Sequence, residues 1–193
     1  MKKELVFATH NPNKAKEIQL ILGDSFVVKT LKDIGLYEDI PETGSTLEEN
    51  AFIKSSYVYE KLGCNVFSDD TGLEVNSLHG EPGVYSARYA GPDCIDQDNM
   101  NLLLLNLQDK EDRTAQFRTV VSLFWEGRHY YLSGIVKGKI IHEKRGGLGF
   151  GYDPIFSPEG YDKTFAEMTP EEKNLLSHRG KAITQLAAFL LDN

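Results

Sequence analysis

Hydrophobic and polar residues along this chain follow two spacings. Short apolar runs bounded by polar or turn residues predict β-strands at residues 5–8, 26–31, 66–67 and 73–75. Apolar residues three and four positions apart predict helices at residues 14–22, 46–62 and 96–107, and a last helix from residue 177 onwards. Two longer β-rich runs, residues 114–125 and 128–141, flank Glu126 and Gly127 and predict a hairpin.

Polar residues at the predicted helix starts support these boundaries. Thr46 and Glu49 match a capping box, in which Glu49 reaches back to the cap and has a structural role. Asp96 is expected to cap the next helix. Thr169 is expected to cap a short helix that has Pro170 at its first position.

Strands that alternate with helices, together with one long hairpin, predict an α/β fold with a mixed twisted sheet and flanking helices. No repeat, low-complexity tract or linker interrupts the sequence, so a single domain is expected over residues 1–193. The connection at residues 77–93 is rich in Gly and Pro and follows neither spacing. Long ordered loops of this kind are often functional.

Composition limits the classes of partner. Hydrophobic residues make up 40% of the chain and charged residues 26%, which is typical of a globular protein. The net charge of −8 argues against nucleic acid or a membrane surface as a partner, so an anionic substrate would need a local basic site. The two cysteines form no C-x-x-C pair, and the sequence contains no signal-peptide or membrane-span pattern, so a cytoplasmic location is expected.

The stretch N-V-F-S-D-D-T-G-L-E-V at residues 65–75 is a candidate catalytic segment. Asp69, Asp70 and Thr71 are poor strand formers, so the strand is expected to stop there, with a turn at Gly72. Carboxylates at a strand end commonly hold a hard cation such as Mg²⁺. An Asx-turn with solvated carboxylates accounts for the same residues equally well, and the stretch alone leaves both interpretations open.

Two other segments are candidates for ligand binding. The connection from residue 9 to Lys14 joins a strand to a helix start, where free N–H groups and the helix dipole favour phosphate, although a plain polar connection has the same pattern. The glycine-rich run at 146–154 carries Phe150 and Tyr152, whose rings could stack on a nucleobase or join a hydrophobic cluster. His178 and Arg179 oppose the helix dipole at the last helix start, which indicates a binding role.

These segments belong to a set of motifs that covers nearly the whole chain. The motifs are Thr9-x-Asn11-x-x-Lys14, Glu42-Thr43-Gly44, Asp69-Asp70-Thr71-Gly72-Leu73, Ser86-Ala87-Arg88-Tyr89, Phe150-Gly151-Tyr152-Asp153-Pro154, and Lys173 with Ser177-His178-Arg179. In order and spacing the sequence resembles the Ham1/RdgB family of inosine/xanthosine triphosphate pyrophosphatases. The resemblance implies two lobes around a central cleft, usually in a homodimer. It also implies Mg²⁺-dependent hydrolysis of ITP, dITP and XTP to monophosphate and pyrophosphate, which cleans the nucleotide pool.

The resemblance also implies roles for individual residues. Asp70 would be the proton acceptor, and Glu42 and Asp70 would hold the metal. The triphosphate would be gripped by Thr9, His10, Asn11, Pro12, Asn13 and Lys14. The nucleoside would be surrounded by Phe150, Gly151, Tyr152, Asp153, Lys173, His178 and Arg179. The chain departs from the family pattern at His10, which is often Gly, and at Thr71, which is often Ser and keeps the hydroxyl for substrate binding.

Several alternatives stay open at this point. Asp70 could act as a base or only orient the water, and Asp69 could also bind metal. Arg179 or His178 could donate to the C6 carbonyl that hypoxanthine and xanthine carry in place of the adenine amino group. A nucleotide-binding module without turnover, or a related pyrophosphatase for other modified nucleotides, would use much of the same pocket.

Overall fold

The structure is a computed structural model that describes residues 3–23 and 26–193. Its helices are α1 (Pro12–Leu22), α2 (Leu47–Leu62), α3 (Asp96–Asn106), α4 (Pro170–Leu176) and α5 (His178–Asp192). Its strands are β1 (Lys3–Phe7), β2 (Phe26–Thr30), β3 (Val66–Val75), β4 (Pro82–Gly83), β5 (Thr114–Trp125), β6 (Arg128–Ile140) and β7 (Phe156–Pro158). Every predicted helix and strand is present, whereas β4 and β7 were not predicted.

The strands form one mixed sheet in the order β2-β1-β3-β5-β6-β7, with β4 paired to β3. Strand β1 runs parallel to β2 and β3, while β4 and β7 are antiparallel to their partners. Parallel neighbours need a crossover connection, which α1 and α2 provide after β1 and β2. The predicted α/β fold with a mixed sheet and flanking helices is therefore confirmed.

The chain divides into two compact units. Unit 1 comprises Met1–Asp70, Thr119–Gly134 and Arg179–Asn193. Its core joins apolar side chains of β1, β3, β5, α1 and α5, among them Phe7 and Phe67, whose stacked rings have centroids 4.5 Å apart. This division does not test the predicted single domain over residues 1–193, which stays a prediction. The predicted central cleft also stays a prediction.

Unit 2 comprises Thr71–Arg118 and Ile135–His178. Its core contains Leu103 and Leu107 together with Phe117, Phe156 and Phe165. Three of its rings form a cluster: the ring centroid of Phe117 lies 4.7 Å from that of Phe156 and 6.1 Å from that of Phe165. Residues 77–93, expected as a long loop, contain two short 3-10 turns and the two-residue strand β4.

Strand β3 corrects the prediction that the chain turns at the paired aspartates. It continues without interruption from Val66 to Val75, and Asp69 and Asp70 are 2% and 8% exposed. The alternative of an Asx-turn with solvated carboxylates is therefore wrong as well. Strand β3 pairs with β1 at Val66 and Phe67 and lies beside β5 in the sheet, and this place within the sheet outweighs the weak strand propensity of Asp.

Local contacts confirm some predicted caps and correct others. The Thr46 side chain accepts a hydrogen bond from the Glu49 amide, but the Glu49 carboxylate accepts from Ser45 N at 2.6 Å. Asp96 is the first residue of α3 and makes no capping bond there. The capping box of Thr169 with Glu172 is present at the start of α4.

The predicted hairpin is also present. Strands β5 and β6 are joined by Glu126 and Gly127, which have positive φ angles of 48° and 78°. Two central residues with positive φ are typical of the tight turn that joins twisted antiparallel strands. Within residues 3–23 and 26–193, no helix has the length and apolar character needed to cross a bilayer.

Candidate active site

Asp69 of β3 holds two cationic side chains from different helices of unit 1. Its Oδ1 atom accepts from Lys14 Nζ at 2.9 Å, and its Oδ2 atom accepts from Arg179 Nε at 3.2 Å. The Asp69 and Arg179 side chains are 1% and 4% exposed. The negative charge of a buried carboxylate is tolerated when cationic donors compensate it, and here Lys14 and Arg179 do so. The three residues therefore form one cluster that joins β3 to the starts of α1 and α5.

The charges of this cluster determine its protonation. Burial alone would raise the pKa of Asp69, but the charges of Lys14, Arg179 and Lys54 outweigh burial and keep that pKa well below its ordinary value. Burial, with Arg179 and Lys54 nearby, lowers the pKa of Lys14 despite its ion pair with Asp69. Asp69 is therefore ionised at neutral pH.

Asp70, the next residue of β3, is near Glu42 and Lys54. Lys54 Nζ lies 2.6 Å from Glu42 Oε1 and 3.8 Å from Asp70 Oδ1. Burial raises the pKa of Asp70 above its ordinary value; the positive charge of Lys54 opposes this effect, and the negative charge of Glu42 adds to it. The pKa of Lys54 is also raised, because Asp70, Glu42 and Asp69 outweigh its own burial.

Lys54 is a site residue that the sequence analysis missed. It lies seven residues after Leu47 and four before Val58, both of which are buried on α2. A charged residue within the apolar stripe of a helix conflicts with the pattern around it. Such conflicts mark candidate functional positions, and this one could have identified Lys54.

The Glu42 and Asp70 carboxylates fit a hard divalent cation. Mg²⁺ prefers oxygen ligands and is usually held by one or two carboxylates together with substrate phosphates. The single ammonium group of Lys54 already contacts both carboxylates, which places their oxygens near a common position. Among residues 3–23 and 26–193, no group of three or more His, Cys, Asp or Glu side chains could hold a metal ion. Mg²⁺ at these two carboxylates would therefore need further ligands, such as the substrate phosphates.

The segment from Thr9 to Lys14 forms the N-terminal end of α1. Asn11 Oδ1 accepts from Lys14 N at 3.3 Å, and Thr9 Oγ1 accepts from Asn11 N at 3.1 Å. Pro12 is the first helical residue, a position that needs no N–H donor. His10 Nε2 lies 3.2 Å from the carbonyl oxygen of Glu38. The side chain of Asn13, also predicted to bind phosphate, lies outside the described part.

In unit 2, Asp153 joins the glycine-rich turn to α4. Its Oδ2 atom accepts from Phe150 N at 2.9 Å and from Lys173 Nζ at 2.7 Å. Lys173 Nζ lies 4.8 Å from the centre of the Phe150 ring, a cation–π distance. Gly149 has a φ of 79°, and a Cβ atom there would lie 2.1 Å from Asp153 Oδ2. The turn therefore requires glycine and presents Phe150 beside a buried ion pair.

Two further contacts hold this turn from behind. Asp96 Oδ2 accepts from Gly151 N at 2.7 Å, so the residue predicted as a helix cap supports the turn instead. Tyr152 is 4% exposed and donates to Ser86 O at 2.9 Å. Of the two aromatic residues considered for base stacking, Tyr152 belongs to the hydrophobic core, while Phe150 is half-buried. The role of Asp96 has no local sequence pattern because its partner is far along the chain.

His178 and Arg179 begin α5, as expected. The His178 ring stacks on Phe117 with centroids 4.6 Å apart, and His178 is 5% exposed. A cation at a helix start is unfavourable because it opposes the helix dipole, so a negatively charged partner was expected for Arg179. Asp69 is that partner. The Thr71 side chain is half-buried on β3. Whether His178, Arg179 and Thr71 contact a nucleotide stays a prediction.

The sequence profile of the Ham1 family matches residues 5–189 of the chain. The chain belongs to the Ham1 family. It is 54% identical over 187 residues to the dITP/XTP pyrophosphatase of Flavobacterium johnsoniae, with 97% of each chain covered. It is 46% identical over 192 residues to the dITP/XTP pyrophosphatase of Bacillus subtilis, again with 97% of each chain covered.

Solved structures of this family have the same fold. The Ham1 protein of Staphylococcus aureus matches with a TM-score of 0.91 and 42% identity, over 98% of this chain and 99% of that one. A Ham1 protein from Coxiella burnetii matches with a TM-score of 0.92 and 38% identity, over 99% of this chain and 100% of that one. The predicted family and the predicted fold class are therefore confirmed.

Proposed function

We propose that this Ham1-family chain hydrolyses dITP, XTP and ITP to the monophosphate and pyrophosphate, with Mg²⁺ as cofactor. The names of its relatives support a nucleoside-triphosphate pyrophosphatase that acts on dITP and XTP. The observation that carries the proposal is the pair of carboxylates, Glu42 and Asp70, on either side of Lys54. A passive nucleotide-binding module has no need of a carboxylate pair beside its phosphate site.

Glu42 and Asp70 would hold Mg²⁺, which supplies charge neutralisation on the polyphosphate when it is bound. Lys14, at the start of α1, would contact the triphosphate together with the free N–H groups of that helix end. Lys54 would add positive charge where negative charge develops during hydrolysis. These contributions stabilise the charge of the transition state rather than form covalent bonds.

Asp70 would accept the proton of the attacking water as the bond between the α- and β-phosphates is hydrolysed. Burial raises the pKa of Asp70, whereas a bound Mg²⁺ would lower it and keep the carboxylate in the ionised form that can accept a proton. Asp69 is occupied by Lys14 and Arg179, so a metal-binding role for it is not needed. The oxygen of the water becomes part of the monophosphate, and pyrophosphate is released.

The nucleoside would be contacted by Phe150 through its ring and by the neighbouring turn, with Lys173, His178 and Arg179. Hypoxanthine and xanthine present a C6 carbonyl acceptor, whereas adenine presents an amino donor at that position. A donor from Arg179 or His178 would pair with the C6 carbonyl of hypoxanthine or xanthine. The same donor would be left unpaired against the amino group of adenine. An unpaired buried donor costs about 1–3 kcal/mol, which is enough for discrimination of tenfold or more.

The decisive experiment is product analysis with Mg²⁺ and each of ITP, XTP, dITP, ATP and GTP, in which pyrophosphate is resolved from orthophosphate. We expect rapid pyrophosphate release from the first three nucleotides and weak release from the last two. Asp70→Asn is expected to lose the activity, while Asp109→Asn, at an exposed carboxylate, keeps it. Retained nucleotide binding without hydrolysis in the unmodified protein would support a binding module instead.

The homodimer and the cytoplasmic location also belong to this proposal. No second chain is needed for the contacts described above, all of which lie within one chain. A solution mass of two chains at micromolar protein concentration is the expected result. A mass of one chain under those conditions would contradict the homodimer without affecting the proposed reaction.

A further inference from the structure

The segment that carries Glu42 is attached to α2 by consecutive contacts. Glu42 Oε1 lies 2.6 Å from Lys54 Nζ. Gly44 N donates to Asn50 Oδ1 at 2.8 Å, and Ser45 N donates to Glu49 Oε2 at 2.6 Å. Residues 42–45 are thus held against the first two turns of one helix, all within unit 1.

Asn50 differs from the other two helix residues in this set because it is fully buried. Its relative exposure is 0%, and its Oδ1 atom must be the atom that faces Gly44, since Gly44 N is a donor. The Asn50 Nδ2 atom then has no hydrogen-bond partner among the described residues. A buried donor without an acceptor is costly, so stability alone does not account for Asn at this position.

Gly44 fits closely against the same side chain. A Cβ atom at Gly44 would lie 2.6 Å from Glu49 Cβ and 2.8 Å from Asn50 Oδ1. The backbone therefore approaches α2 more closely than any residue with a side chain allows. This close approach makes the hydrogen bond between Gly44 and Asn50 a fixed point two residues after Glu42.

We propose that Asn50 is a positioning residue for Glu42: Asn50 fixes the backbone near Glu42 so that the Glu42 carboxylate is placed for metal binding. The inference rests on the proposed function, in which Glu42 holds Mg²⁺. The ion pair with Lys54 uses the same carboxylate that the metal would use, so it weakens when the metal binds. The bond from Gly44 to Asn50 uses backbone atoms and persists in both states, so metal binding does not have to order the segment.

The main test compares Asn50→Leu with Asn99→Leu. Asn99 is a matched control in unit 2: it is 2% exposed, lies in the first turn of α3 and accepts from Ala90 N through Oδ1 at 2.7 Å. Residues that orient metal ligands typically change metal affinity by about 10- to 100-fold when they are replaced. We expect Asn50→Leu to raise the Mn²⁺ dissociation constant by about tenfold, measured by paramagnetic resonance without nucleotide. Asn99→Leu is expected to lower the unfolding midpoint and leave that constant unchanged.

Hydrogen exchange gives a second measurement that does not depend on activity. The Gly44 amide is expected to exchange slowly in the unmodified protein and faster in Asn50→Leu, with and without Mg²⁺. Asn50→Asp keeps an acceptor oxygen for Gly44 and is expected to keep slow exchange. If Asn50→Leu does not fold, Asn50→Ala makes the same deletion with less bulk and carries the same expectations.

Two failures can be told apart. If Glu42→Gln leaves Mn²⁺ binding of the protein unchanged, the proposed metal site is wrong. If Glu42→Gln weakens binding but Asn50→Leu and Asn50→Ala leave both the Mn²⁺ constant and the Gly44 exchange rate unchanged, the positioning role of Asn50 is wrong. A loss of stability with no change in metal affinity would also overturn that role.

Discussion

The Nζ atom of Lys54 lies 2.6 Å from Glu42 Oε1, and its side chain is only 11% exposed. The same atom lies 3.8 Å from Asp70 Oδ1, so one ammonium group compensates both proposed metal ligands. A divalent cation bound by these carboxylates would compete with Lys54 for them. The ammonium group would then be available to the phosphates of the substrate.

This relationship predicts opposite effects of Lys54→Met on catalysis and on metal binding. Loss of the positive charge removes transition-state stabilisation, so we expect kcat for ITP to fall by about 10²- to 10³-fold. Loss of the competing ammonium group should leave Mn²⁺ affinity equal to or tighter than that of the unmodified protein. Steady-state kinetics and direct Mn²⁺ titration measure the two effects separately.

Lys61→Met is the matched control for this prediction, because Lys61 lies on the same helix, is 46% exposed and pairs with Glu38. It is expected to leave both kcat and Mn²⁺ affinity unchanged. If Lys54→Met kept its kcat, Lys54 would have only a structural role. If it bound Mn²⁺ tenfold more weakly, Lys54 would support the carboxylates rather than compete with a metal.

The sequence predicted the elements well because their patterns are local. The boundaries of α2 follow from Thr46 at its start and Gly63 after its end, and the hairpin follows from Glu126 and Gly127. A strand was predicted correctly at residues 66–67, but the prediction that it ends at Asp69 and Asp70 was wrong. Asp69 is buried inside a strand only because Lys14 and Arg179, 55 and 110 positions away, compensate its charge.

The contacts that the sequence did not predict join residues that lie far apart along the chain. Asp96 supports Gly151 across 55 positions, and Tyr152 donates to Ser86 across 66 positions. Local periodicity carries no information about such pairs. Lys54 is the exception, because its position in an apolar stripe was visible in the sequence before its partners were known.

The Asp69 cluster predicts a pH-dependent loss of stability in Asp69→Asn. The variant leaves Lys14 and Arg179 without their buried counter-charge, which typically costs about 3–5 kcal/mol. Because the folded pKa of Asp69 lies below its unfolded value of about 3.9, its contribution is fully present well above that value. The contribution is lost as the pH falls through the unfolded value towards the folded one.

Urea unfolding at several pH values measures this difference. We expect the gap in the free energy of unfolding between the two proteins to be constant from about pH 7 to 5 and to shrink below about pH 4. Asp109→Asn, at an exposed carboxylate, should show no such gap. A gap that grows as the pH falls would mean that Asp69 is protonated in the folded protein, contrary to the charges around it.

Arg179→Ala tests where this residue acts on the substrate. Arg179 contacts Asp69, yet a role in recognising the C6 carbonyl predicts a larger loss for ITP than for ATP. One hydrogen bond from a charged donor contributes about 1.5–3 kcal/mol, so the ratio of kcat/KM for ITP to that for ATP should fall by at least about tenfold. Lys181→Ala, at an exposed position of the same helix, should leave the ratio unchanged. Equal proportional losses on ITP and ATP would overturn the role of Arg179 in base recognition, and the discrimination would then have to come from His178 or from the turn at Phe150.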